Sequence, residues 1–208
     1  YVSSNAQNSQ KLLDGINTPI VFMDRKIDKT GNTGSVQIDN YAAMKDVAHY
    51  ISSKGCKKIA YISADISQSP SHERYDGFID GLHECDISFD KRLHYAGTFS
   101  VETGQLGAMT LLQTSPDIDC IVCGNDLMAI GAINICQKLG RNIPDDISIM
   151  GFDDIYISKY LNPELTTVRQ DAYEMGRRAA SMLIEYLNEH TPLSDVVLPY
   201  QIIERNTV

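Results

Sequence analysis

Cys120-Ile121-Val122-Cys123-Gly124-Asn125-Asp126-Leu127-Met128-Ala129-Ile130-Gly131-Ala132 carries the fold in miniature. Four apolar residues in a row suit a strand buried on both faces of a sheet. A polar turn follows, and then an apolar pattern of helical spacing that runs from Leu127 to Leu139. Asp126 is the expected N-cap of that helix, and Gly140 is placed to stop it. A strand that turns tightly into a helix is one unit of an α/β fold.

The same unit recurs along the chain. Pro19-Ile20-Val21-Phe22-Met23, Lys58-Ile59-Ala60-Tyr61-Ile62 and Ile147-Ser148-Ile149-Met150 read as further strands. Tyr41 to Ser53 carries Met44, Val47, Ala48 and Ile51 at helical spacing, and Gly55 ends it. Glu73 to Cys85 and Glu102 to Leu112 repeat the theme. Such alternation implies right-handed crossovers and a parallel sheet.

Bulk properties narrow the function. The chain has 208 residues, 43% of them hydrophobic, enough for a real core, and no apolar run approaches the span of a bilayer. A formal net charge of -9 argues against these residues gripping DNA or an anionic membrane by themselves. Lys57-Lys58 and Arg177-Arg178 read as solvated faces or helix ends. Tyr1 to Gln7 lacks the basic start and apolar core of a signal peptide. The five cysteines are odd in number and scattered, which suits buried thiols in a reducing cytoplasm better than a disulfide framework. Cys120 and Cys123 have CxxC spacing, but strand residues three apart face opposite ways. The five histidines form no ligand pattern, so neither metal nor cofactor is expected.

In open α/β sheets, ligands bind beyond the carboxyl ends of the strands. There the sequence places Asp24-Arg25, Ser63-Ala64-Asp65 with Arg74 further on, Thr98-Phe99, Gly124-Asn125-Asp126, and Phe152-Asp153-Asp154. Carboxylates and amides accept or share hydroxyl hydrogen bonds. A guanidinium donates several in a fixed fork, and an aromatic face packs on C–H groups. The set suits a polyhydroxylated small molecule.

With these pieces assembled, the chain resembles the LacI/GalR family of transcription regulators. The resemblance is carried, in order, by Pro19-Ile20-Val21-Phe22-Met23-Asp24, Ile38-Asp39-Asn40 and Gly55-Cys56-Lys57-Lys58-Ile59-Ala60-Tyr61-Ile62. It continues through Arg74-Tyr75-Asp76-Gly77-Phe78, Gly97-Thr98-Phe99, the stretch from Gly124 to Ala132, and Ile143-Pro144-Asp145-Asp146 through Asp154. Pro163-Glu164-Leu165-Thr166-Thr167-Val168-Arg169-Gln170 and Glu204-Arg205 complete it.

The resemblance implies a periplasmic-binding-protein-like type I fold: two doubly wound parallel-sheet subdomains, three crossovers, and effector in the cleft. By analogy, 1–39 and about 170–198 form the N-terminal subdomain. The C-terminal subdomain takes 40–169 and 199–208. Family members begin with a DNA-reading helix-turn-helix and further strand–helix units. About eighteen residues precede the Pro19 strand here, so the first subdomain is expected to be incomplete and the headpiece to lie outside this sequence. The implied partners are a small effector, most naturally a sugar, a second copy of the chain, and operator DNA through that headpiece, in the cytoplasm.

The resemblance also assigns ligand-binding candidates: Arg74, Asp153, Asn125, Phe99 and Asp24. The first four have structural alternatives: a solvent-facing helix-start arginine, an Asx turn or helix cap, a turn amide, and core packing for Phe99. Asp126 and Asp154 are expected to be caps, and Asp39 and Gln170 hinge hydrogen-bonders. Helices 102–114 and 127–139 match the family's dimer surface, with Met109, Met128 and Ile133 either there or in the core.

Two other functions compete. An extracytoplasmic sugar-binding protein of a transporter shares the fold, but the scattered cysteines and the tail from Leu198 to Arg205 disfavour it. An α/β enzyme lacks support: there is no GxGxxG, Walker A or GxSxG motif, and the adjacent acids Asp145-Asp146 and Asp153-Asp154 diverge.

Overall fold

A computed structural model describes residues 18–25, 32–67 and 69–208. The segment Tyr1 to Gln7, read above for a leader, lies outside them. The described chain divides into two compact units. One holds the residues up to Asp39, 69–70 and Gln170–Tyr200. The other holds Asn40–Ser67, Ser71–Arg169 and Gln201–Val208.

The first unit is built on a sheet in the order β1–β2–β8, with β1 at Ile20–Met23, β2 at Thr33–Ile38 and β8 at Asp195–Leu198. All neighbours run parallel, with Ile20 opposite Thr33 and Ser35 opposite Asp195. The Ser35 hydroxyl donates to Asp195 across the second pair at 2.9 Å.

The second unit contains a six-stranded sheet in the order β4–β3–β5–β6–β7–β9. These strands are β3 (Ile59–Ala64), β4 (His94–Gly97), β5 (Cys120–Cys123), β6 (Ser148–Asp153), β7 (Thr166–Gln170) and β9 (Tyr200–Ile203). From β4 through β7 every pairing is parallel. β3 and β5 are buried along their whole length, as continuous apolar strands require.

Five α-helices cover the sheets among the described residues: α1 (Asn40–Ser53), α2 (Ser69–Glu84), α3 (Val101–Thr114), α4 (Asp126–Lys138) and α5 (Ala172–Glu189). α5 belongs to the first unit and buries Met175, Ala179 and Met182. α3 and α4 meet at glycines. A Cβ on Gly104 would strike the Met128 backbone, and one on Gly131 the Val101 carbonyl. Met128 and Ile133 lie in the apolar cluster with Ile62, Ile121, Cys123 and Ile149, and Met109 packs against it. All three therefore serve the core.

Two capping expectations are corrected. The N-cap of α4 is Asn125, in extended geometry at φ −158°, and its side chain accepts from the Met128 N–H at 3.0 Å. β5 ends at Cys123, so Gly124 alone makes the turn and the helix starts one residue earlier than expected. Asp126 points inward instead. It accepts from the Ser158 and Thr167 hydroxyls, both at 2.6 Å, and from the Ile155 N–H at 2.9 Å. Asp154 is not a cap either. It bridges Arg169 and Arg205, each at 2.6 Å, and ties the β6 end to the chain after β9.

Candidate functional site

Strand order locates the place to look. After β3 the chain goes to β4 on one side, and β5 then adds on the other. Doubly wound sheets bind ligands at such a switch point, outside the carboxyl ends of the strands. Here those ends are Ala64 of β3 and Cys123-Gly124 of β5, with Asp153 ending β6.

Arg74, on α2, reaches this edge and is 2% exposed. Its Nε donates to Asn40 Oδ1 at 2.7 Å and its Nη1 to the Gly124 carbonyl at 2.8 Å. The guanidinium lies 3.7 Å from the centre of the Phe152 ring, a close cation–π stack. Asp153 Oδ1 is 3.8 Å from Nη1, a charge contact longer than a hydrogen bond. Arg74 is thus no solvent-facing helix-start arginine. It is a planar cation locked among an amide, a carbonyl, a ring and a carboxylate.

Asp153 has φ 112° and Asp154 has φ 53°. Two successive side-chain-bearing residues at positive φ store backbone strain, on the order of 1–3 kcal/mol each. Strain of that kind gathers where a fold aims a particular group. The Asp153 side chain keeps 24% of its surface accessible, while Asp154 is closed off by its two arginines.

Of the other candidates, Asn125 is 5% exposed and commits its Oδ1 to the α4 cap. Phe99 sits in the turn between β4 and α3 and is 39% exposed, so it is not core. Asp24 follows β1 at φ 52°, in the first unit, with its N–H bonded to the Val36 carbonyl. Arg74, Asp153 and Asn125 thus gather along the β5–β6 edge of the second unit. Phe99 follows the edge strand β4.

Three participants escaped the sequence reading. Asn40, 1% exposed, was read only as part of a motif and turns out to hold Arg74. Phe152 was read as a strand end and turns out to be the stacking platform. Tyr61 of β3 stacks on Phe78 at 4.9 Å and on His94 at 5.7 Å. Its buried hydroxyl meets no hydrogen-bond partner among the described residues. Burial pushes its phenol far above the usual range, with the Arg74 charge pulling the other way. Asn40 and Arg74 are 34 positions apart, and no local pattern pairs them.

No group of three or more His, Cys, Asp or Glu among the described residues can hold a metal ion. No described helix is long and apolar enough to cross a membrane.

Residues 48–208 match the family described as periplasmic binding protein-like domain. The chain belongs to that family, in its LacI/GalR branch. The HTH-type transcriptional repressor CytR of Escherichia coli (strain K12) is 29% identical over 192 residues, covering 92% of this chain and 56% of that protein. The ribose operon repressor of Halalkalibacterium halodurans is 31% identical over 199 residues, covering 95% and 58%. The transcriptional regulator CelR in complex with cellobiose superposes with a TM-score of 0.88 at 25% identity, covering 96% of this chain and 62% of that one. The LacI/GalR chain described here thus spans little more than half the length of these curated relatives, which are named as repressors.

Proposed function

We propose that these residues form the effector-sensing region of a LacI/GalR-type repressor, and that the effector is a sugar. One observation carries the reading. Arg74 is held rigid on Phe152 beside Asp153, whose strained backbone leaves its carboxylate accessible. An accessible carboxylate fixed beside a planar cation suits a ligand hydroxyl, which can donate to it. The repressor names of the relatives favour a site that holds its ligand without turnover. The ribose operon named for one relative and the cellobiose bound to another favour a sugar over a nucleobase.

Effector binding alters DNA affinity only as far as it distinguishes the two conformations of the regulator. With a net charge of -9, DNA contact falls to residues outside these 208, in the cytoplasm. The protein acts as a homodimer. Leu106 of α3, Leu127 of α4, and Tyr156, Ile157 and Tyr160 in the 3-10 turn before β7 expose apolar surface that supports this.

Titration calorimetry of the full-length protein against pentoses, hexoses, disaccharides and nucleosides tests the effector. Arg74→Lys and Asp153→Asn in folded protein should each cost about 2–5 kcal/mol of binding, the penalty for truncating one partner of a buried charged contact. A nucleoside binding in place of every sugar, or unchanged affinity in both variants, refutes the reading. Sedimentation of Leu106→Glu should give monomer where the parent gives dimer.

A further inference from the structure

The chain passes between the two units at Asp39–Asn40, Arg169–Gln170 and Tyr200–Gln201, apart from a brief visit at the start of α2. On the second-unit side, all three passages are held by side chains that converge on two consecutive residues. Asn40, the first residue after the first passage, accepts from Arg74 Nε at 2.7 Å, and Arg74 Nη1 lies 3.8 Å from Asp153. Arg169, the last residue before the second passage, donates from Nε to Asp154 Oδ2 at 2.6 Å. Arg205, shortly after the third passage, donates from Nη2 to Asp154 Oδ1 at 2.6 Å.

Asp154 has no slack. Each of its carboxylate oxygens is committed to a different charged donor, and charge-assisted bonds are the strong ones. Arg205 in turn grips the start of β7: its N–H donates to Thr166 Oγ1 at 3.0 Å and its Nη1 to the Leu165 carbonyl at 2.6 Å. β7 is thereby pinned at its start through Arg205 and near its end through Arg169, which stands opposite Asp153 in the β6–β7 register. Asp153 is held more loosely. Its approach to Arg74 is longer than a hydrogen bond and its side chain is accessible, so its carboxylate has room to shift toward a ligand. The two aspartates share one peptide unit, and both have positive φ. Strain of this kind gives a turn a relaxed alternative. Neither residue can take up that alternative without moving the other.

We propose that the Asp153-Asp154 turn is the relay of the sensing site. Effector drawn to Asp153 switches the turn, and Asp154 passes the change through Arg169 and Arg205 to the second and third passages. Arg74, which faces Asp153 and holds Asn40, links the first. The relay rests on the sensing site proposed above and adds Asp154 to it as a positioning residue, one that meets no ligand. Ion pairs arranged around a two-state turn are the physical form that coupling between distant sites requires.

The test is backbone amide exchange, read by mass spectrometry on the full-length protein, without ligand and with saturating D-ribose, cellobiose or adenosine. In the parent, whichever of these binds should slow exchange in the peptides over 152–154, 166–170 and 200–205 together, by about fivefold or more, the low end of typical coupling. Asp154→Asn should lose the response at 166–170 and 200–205. Arg169→Gln cuts one arm at a residue that is 48% exposed, so it keeps the test open even if Asp154→Asn does not fold. It should bind the same ligand to within about fivefold of the parent and still respond at 152–154, but no longer at 166–170. A response confined to 152–154 in the parent, or undiminished in both variants, overturns the relay and leaves the sensing site standing. Adenosine giving the full pattern where neither sugar binds supports the relay and overturns the sugar. Failure of all three to bind overturns both.

Discussion

The Arg74 guanidinium lies 3.7 Å from the centre of the Phe152 ring, although the two residues sit on a helix and a strand far apart in sequence. The stack accounts for a buried cation that is 2% exposed. A lysine at this position keeps the charge but loses the planar fork and the ring contact. Arg74→Lys should also lower stability by about 1–3 kcal/mol, because Asn40 Oδ1 and the Gly124 carbonyl lose their donors. Urea denaturation of both proteins checks this. Phe152→Leu should show a smaller loss of the same sign.

Asp126 gathers three donors from two other segments, so its removal should be felt globally. Asp126→Ala leaves the Ser158 and Thr167 hydroxyls and the Ile155 N–H without their acceptor, and should cost about 3 kcal/mol or more. Asp126→Asn should cost less, since one acceptor oxygen survives. Equal midpoints for parent and Asp126→Ala in denaturant would refute this account.

His94 sets a pH dependence. Burial holds its imidazolium below the ordinary 6.5. Its ring packs against Tyr61 and Tyr75, with Nε2 bonded to the Ser63 hydroxyl at 2.8 Å. The unfolded chain therefore takes up a proton before the folded one does. Stability from this group is fully present above 6.5 and is lost as pH falls through the lower folded value. Melting temperature should decline on acidification from about pH 7 to about pH 5, and His94→Gln should flatten that decline.

Gly131 and Gly104 let α3 and α4 approach backbone to backbone. Gly131→Ala gains about 1 kcal/mol of helix propensity. It also places a methyl against the Val101 carbonyl, where overpacking costs about 1–3 kcal/mol. The net effect should be destabilising, with a lower thermal midpoint. A stabilised Gly131→Ala would mean that α3 slides freely on α4.

Asp154→Asn should cost about 3–5 kcal/mol, since Arg205, only 10% exposed, loses its carboxylate. Asp153→Asn, beside it in sequence, should alter stability far less and ligand affinity far more. Thermal melts with and without sugar separate the two.

Much of the fold was legible because periodicity is local. The runs around Ile121, Ile59 and Ile149 became β5, β3 and β6, and the helical spacing around Met44 and Ala129 became α1 and α4. Less legible were β2, whose Thr33-Gly34-Ser35 start looks like loop, and the exact helix starts. Asn125 and Asp126 are both good caps, and only the end of β5 chose between them. For the site, the sequence singled out Arg74 and Asp153 by motif. It gave no sign that Arg74 is buried, or that Asp154 serves the two arginines while Asp153 stays accessible.

By itself, the sequence determined the alternation of strands and helices, the parallel character of the sheets and the family, because these rest on hydrophobic period and on motifs read within a few residues of each other. Only the tertiary structure decided which polar groups meet. It brought Asn40 to Arg74 and Thr167 to Asp126, pairs separated by a whole strand–helix unit or more. Such pairings depend on strand order and register, which place distant residues side by side and leave no periodic trace along the chain.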